Sequence, residues 1–302
     1  MTAPTYQEDP RWREILDELS RIREQEDYGA DSVEFIRQHL QSPDDRVRGG
    51  AALAAEGCLF EPYVLDLLIE MVEADPNVAI RKAAIQSLQG VIREGVEQQL
   101  EDVVGAEADF EYAEDWMEME QERLRDDYLR VKNLLLGLVE DELESMEVRE
   151  AALASLSDLG FLPVVREWIG GFIEHQRKSA RLVALHAMGK YPQYWEAELA
   201  RFITPETDKA LLMEAISASY SSRSAQLARR IEGILGHPDP EVLSYALLAL
   251  ANINQTENLG EILQKYSLHP DPRVQEAARK AIDHFSRKNF DHYLRNELGY
   301  EE

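Results

Sequence analysis

The chain has 302 residues, of which 32 are Lys or Arg and 58 are Asp or Glu, for a formal net charge of -26. A field of that sign repels the phosphate backbone that nucleic-acid binders must neutralise, so the expected partner is a protein with a basic surface and no nucleic acid. Glycine (16) and proline (12) are sparse while Ala, Leu and Glu abound, which disfavours strands separated by frequent turns and favours helices.

The charge is unevenly placed. Residues 1–150 carry 15 basic and 38 acidic side chains, whereas residues 151–302 carry 17 and 20. The opening MTAPTYQEDPRW lacks the basic start and apolar stretch of a signal peptide, and no apolar run reaches the ~18 residues of a membrane span, so a cytoplasmic chain without membrane contact is expected. Within residues 1–31, WREILDELSRIREQED from Trp12 is amphipathic and predicts a capping helix.

From residue 32 onward one short phrase recurs. It reads VRGGAALAA from Val47, IRKAAIQSL from Ile80, VREAALASL from Val148, ARLVALHAM from Ala180, VLSYALLAL from Val242 and VQEAARKAI from Val274, with a weak copy, LLMEAISAS, from Leu211. Successive starts are separated by 33, 68, 32, 31, 31 and 32 residues. The first, fifth and eighth or ninth places are apolar or small, which is one face of a 3.6-residue helix. Leu88, Leu156, Leu250 and Ile282 share the ninth place and are expected in the core. Before several copies stands a turn with Pro and Asp or Asn, as in SPDDR at 42–46, ADPN at 74–77 and HPDP at 237–240 and 269–272, which is what a helix start requires. A second apolar helix precedes each turn, as in PYVLDLLIEMVEA and SAQLARRIEGILG. Each unit is thus a helical hairpin that buries both faces only by stacking on its neighbours. Two units fall in 32–93 and five in 128–286, with 287–302 as a polar C-terminal cap and tail. The lone cysteine, Cys58, lies in the Ala-rich run AALAAEGCLF, where a small apolar side chain packs.

Residues 94–127 carry no copy. They hold fourteen acids against Arg123 and Arg125, interleaved with Phe110, Tyr112, Trp116, Met117 and Met119. Two readings stand: a degenerate repeat or surface helix whose Tyr112, Trp116 and Met119 stripe packs on the solenoid, or a docking segment. In the second, Asp109, Glu111, Asp115 and Glu118 steer a basic partner that Phe110, Tyr112, Trp116 and Met119 anchor. A further candidate patch is Tyr191, Tyr194 and Trp195 in KYPQYWE with Tyr220 in the next unit's loop, which either face a partner or fill gaps between layers.

Helix, Asp-containing turn and a second helix opening on Val-Arg and an Ala pair resemble the HEAT repeat, and in particular the short HEAT-like repeats of phycobilisome lyases. The resemblance covers about 32–92 and 128–286. It implies an all-α, right-handed α-solenoid of stacked hairpins, an armadillo-type superhelix, with a ladder between the turn aspartate and the arginine in the phrase's second place. That arginine is present as Arg48, Arg81, Arg149 and Arg181 and replaced by Leu212, Leu243 and Gln275, so the ladder is expected to fail in the last three units. Paired His-Glu dipeptides, the mark of di-iron HEAT-repeat hydroxylases, are absent, and HEAT-like DNA glycosylases need a basic groove. His237 and His269 occupy equivalent turns roughly 10 Å apart by usual interhelical spacing, too far to share a zinc with ligands at ~2.0–2.1 Å. No catalytic, cofactor-binding or metal-binding residue is assigned. The expected function is a non-catalytic scaffold or adaptor, with an accessory enzyme or chaperone related to the bilin lyases as the alternative that the repeat type implies.

Overall fold

A computed structural model describes residues 11–61, 63–103 and 115–297, with side chains described over 11–61, 63–101 and 121–286. Every regular element among them is helical, and the chain divides into two compact units, Met1–Leu159 and Gly160–Glu302.

The first unit contains α1 (Trp12–Gln25), α2 (Ala30–His39), α3 (Asp45–Ala54), α4 (Val64–Ala74), α5 (Val78–Glu97), the short α6 (Leu100–Val103), α7 (Asp115–Glu140) and α8 (Met146–Ser155). The hairpins are α2–α3, α4–α5 and α7–α8, and their second helices stack α3 on α5 on α8. Helix α1 lays Ile15, Leu19 and Ile22, one stripe at i, i+4 and i+7, against α3 and so takes the place of a preceding second helix.

The phrase explains the stacking. Its first place (Val47, Ile80, Val148) and fifth place (Ala51, Ala84, Ala152) are buried in every copy of this unit. The eighth place is small, and where it is serine the hydroxyl reaches the neighbouring helix: Ser87 Oγ donates to the Ala52 carbonyl at 2.7 Å and Ser155 Oγ to the Ile85 carbonyl at 3.1 Å. A longer side chain there would hold the helices apart. The second of these bonds also places α8 directly on α5. The 68-residue interval is therefore one step of the stack, with the additional residues leaving it between α5 and α7.

What secures the start of α7's packed half is a contact that the repeat phrase does not encode. Tyr128 is fully buried, its hydroxyl donates to Glu101 Oε1 at 2.5 Å, and Lys132 pairs with the same carboxylate. The ring lies where a Cβ on Gly95 of α5 would sit 2.1 Å from Tyr128 Cδ2, so glycine is required at that close approach. Cys58 is buried, and burial pushes its thiol up to about 12, which leaves it unreactive at neutral pH.

The second unit contains α9 (Pro163–Ile173), α10 (Lys178–Met188), α11 (Glu196–Phe202), α12 (Lys209–Ala218), α13 (Ala225–Gly233), α14 (Pro240–Ile253), α15 (Leu259–Tyr266) and α16 (Pro272–Glu297). Its four hairpins stack α10 on α12 on α14 on α16. Ala180, Leu211, Val242 and Val274 in the first place and Ala184, Ala215, Ala246 and Ala278 in the fifth are all buried. Of the ninth-place residues, Leu88, Leu156 and Leu250 are buried, but Ile282 is only half-buried. It lies on α16, whose outer face carries no further hairpin among the described residues. The polar end from Ser286 on continues α16 to Glu297 without a break.

Turns and caps follow the sequence. Asp44, Asn77, Asp208, Asp239 and Asp271 each accept an N–H of the helix they open, at 2.8 to 3.0 Å. Five places before the phrase begins, Asp75 accepts the N–H of Asn77 at 2.9 Å. His175, His237 and His269 do the same through Nδ1 toward Arg177, Asp239 and Asp271, at 3.0, 3.1 and 3.1 Å. These histidines are turn residues whose Nδ1 lone pair is already used. Two rungs of the ladder are ionic as expected, at Arg48 and Arg81. Arg48 donates to Asp75 at 2.8 Å, and Arg81 meets Glu144, an acid at the corresponding turn. Leu212 and Leu243 are buried in the arginine's place, and there the turn acid has become histidine. No described helix is long and apolar enough to cross a membrane.

Candidate protein-binding groove

Two features of the first unit meet on one edge. Past the phrase, the first two copies carry glycine at the same place, the eleventh: Gly57 in the turn after α3 and Gly90 within α5. The Tyr28 ring, which follows α1, occupies the space that a Cβ on Gly57 would need, 2.0 Å from Tyr28 Cζ. The Leu59 side chain does the same at Gly90, where a Cβ would sit 2.5 Å from Leu59 Cδ1, and above these filled places lies a groove of about 650 Å³ over Gly57, Leu59 and Gly90, lined by Tyr28 and Glu26 and by Glu94 and Glu97.

Carboxylates outnumber guanidinium groups in the groove. Four carboxylates line it, Glu26, Glu56, Glu94 and Glu97, against Arg23 and Arg93. Both arginines face the same acid, Glu56, at 3.7 and 3.4 Å, which leaves Glu26, Glu94 and Glu97 without a cationic partner among the described residues. Tyr28, half-buried, and Phe60 supply apolar faces beside these acids. Carboxylates next to aromatic surface suit Lys and Arg side chains, which lay an apolar stem along a ring and keep the charged head at an acid.

The acidic insert departs from and returns to this edge. Glu94 and Glu97 are in the last turns of α5, after which α6 begins at Leu100. On the return, Arg123 of α7 donates to the carbonyl of Phe60, a groove residue, at 3.1 Å. Of the expected docking residues, Asp109, Phe110, Glu111 and Tyr112 lie outside the described residues. Asp115, Trp116, Glu118 and Met119 fall on the helical backbone at the start of α7, where side chains are not described. Trp116 is seven residues before Arg123, about 10 Å along a helix.

The second expected patch is dispersed by depth. Trp195 is 8% exposed, at the N-terminus of α11, with its indole Nε1 buried and unpaired. Tyr191 is half-buried, edge-on to Phe161 at 5.7 Å and 6.4 Å from Tyr194. Tyr194 is 48% exposed and lies under the Arg166 guanidinium at 4.4 Å. Tyr220 is 43% exposed and makes no ring contact with the others among the described residues. Trp195 therefore fills space inside the unit as it stands, and only Tyr194 and Tyr220 present substantial ring surface.

The groove residues were not found from the sequence. The glycines at the eleventh place of two consecutive copies were a sequence signal, but the pairing of both arginines with Glu56 is tertiary. No group of His, Cys, Asp and Glu among the described residues is placed to hold a metal ion.

The stacked helical hairpins define an all-α solenoid. No family model matches the chain, and no curated protein matches it. Among solved structures it is similar to a designed armadillo repeat protein in complex with the peptide (KR)4, at 16% identity and a TM-score of 0.33, covering 90% of this chain and 98% of that one. A second designed armadillo repeat protein gives 17% identity and a TM-score of 0.33 over 83% and 98% of the two chains. An engineered protein gives 18% and 0.32 over 84% and 98%. At these scores the assignment of the fold rests on the hairpins themselves.

Proposed function

We propose that this chain is a non-catalytic scaffold that holds a basic segment of a partner protein along the groove of its first unit, with the acidic residues 94–127 steering the approach. The observation that carries the reading is the groove's charge: four carboxylates, and two arginines both turned to Glu56. Clefts lined by one sign of charge raise the local concentration of the opposite one and speed its arrival. Solenoids are suited to such work because each added hairpin lengthens a continuous binding surface.

The test uses the full chain and a fluorescent octapeptide of alternating Lys and Arg. Replacing Glu26, Glu94 and Glu97 together by Gln removes three solvent-accessible charge contacts of ~0.5 kcal/mol each, which weakens binding about tenfold. Raising the salt should slow association more than it speeds release. Equal affinity for the triple variant and the wild type would refute the groove. The finer resemblance to phycobilisome lyases makes a different forecast, a tetrapyrrole bound to the protein purified from its host.

A further inference from the structure

The second unit contains an arginine whose expected counterion is missing. In the first unit each arginine in the second place of the phrase has its Nε engaged: Arg48 Nε on Asp75, Arg81 Nε on the Val72 carbonyl and Arg149 Nε on the Val139 carbonyl. Arg48 and Arg81 further hold the carboxylates of Asp75 and Glu144 at the next turn. Arg181, the fourth of the series, has a buried Nε without any hydrogen-bond partner. Of the two turn positions that supply acids to Arg48 and Arg81, five and four places before the next phrase, the first is Glu206, which is exposed and makes no contact with Arg181 among the described residues, and the second is Thr207, whose hydroxyl is shared with Thr204 at 3.0 Å.

Beside this guanidinium is a cavity of about 390 Å³, lined by Arg181, His175, Arg201, Thr207, Glu174 and Asp208 among others. Its own acids are taken. Glu174 pairs with Arg201 at 2.7 Å, and Asp208 pairs with Lys178 at 2.6 Å while capping α12. The cavity therefore has one uncompensated guanidinium, in the half of the sequence whose charge is close to neutral. An orphaned buried donor is costly to leave unmade, and a planar carboxylate is the group whose geometry matches a guanidinium fork.

We infer that Arg181 and this cavity form a binding site for a carboxylate of a partner chain, which completes the rung that Asp75 and Glu144 complete internally for Arg48 and Arg81. A carboxylate is specified because it is what the two equivalent arginines hold. The site is independent of the acidic groove, since it belongs to the second unit and takes the opposite charge.

Calorimetric titration of the full chain tests this with three probes: a tetraglutamate peptide with both ends blocked, a tetraalanine peptide with a free C-terminal carboxylate, and inorganic phosphate. Binding of either peptide is expected, and which one binds separates a side-chain carboxylate from a terminal one. Arg181→Leu, which installs the residue found at Leu212 and Leu243, should weaken that binding at least tenfold. Thr207→Glu should supply the rung internally, raise the thermal midpoint and also weaken the peptide at least tenfold. The proposal is overturned if Arg181→Leu binds the peptide as the wild type does, if neither peptide binds, or if phosphate binds more tightly than both. It is equally overturned if Thr207→Glu folds and leaves peptide affinity unchanged.

Discussion

Two glycine-to-alanine substitutions in the first unit should shift stability in opposite directions. In the interior of a helix, alanine is favoured over glycine by ~0.8–1 kcal/mol. Gly137 of α7 has nothing within 4 Å of the place an alanine methyl would take, so Gly137→Ala should yield that gain undiminished. Gly95 of α5 has the same helical setting, but a Cβ there falls 2.1 Å from Cδ2 and 2.5 Å from Cε2 of Tyr128. That ring is fully buried and tied through its hydroxyl to Glu101, so it has no free rotamer into which to retreat. Overpacking of this kind costs ~1–3 kcal/mol, which cancels the propensity gain and leaves Gly95→Ala ~0–2 kcal/mol less stable than the wild type. Because propensity is common to both variants, the difference between them measures the clash. Urea unfolding followed by circular dichroism, with the slope compared between variants, supplies the numbers. If both midpoints rise by the same amount, Tyr128 does not pack on Gly95, and the account of how α7 joins the stack is wrong.

Leu88→Ala should cost ~2–5 kcal/mol, because a fully buried leucine loses both transfer energy and a filled cavity, whereas Ile282→Ala, at a half-buried place on α16, should cost ~1–2 kcal/mol. Equal losses at the two sites by denaturant unfolding would show that Ile282 is packed as deeply as Leu88. For the ionic rung, the Arg81 guanidinium holds the Glu144 carboxyl below its ordinary value of 4.5. A depressed carboxylate contributes stability that is complete above about that pH and is lost as pH falls through the lower folded value. The stability gap between the wild type and Arg81→Gln should therefore narrow on acidification below about pH 4.5, measured by thermal midpoints. A gap that stays constant into acid would place the rung's value in the Val72 hydrogen bond instead.

The sequence by itself determined the hairpin, its period and its register. Apolar first and fifth places and a small eighth place recur because a helix of 3.6 residues per turn must show one face to each neighbour, and every described copy of Val47, Ala51 and their equivalents is buried accordingly. Turn residues were equally legible, since capping is a local interaction between a side chain and the next N–H groups. What the period could not reveal is which helix follows which across the 68-residue gap. Tertiary contacts such as the bond from Ser155 to Ile85 and the pairing of Arg81 with Glu144 decide that, because a stack is closed by contacts between residues more than 60 apart in sequence. The same holds for Tyr128 seated on Gly95, for Trp195 turned inward when Tyr194 is not, and for Arg181, which matches the phrase as well as Arg48 does. Whether an arginine finds its acid depends on the turn of the next hairpin, and that partner is chosen by packing in three dimensions rather than by the repeat in which the arginine is written.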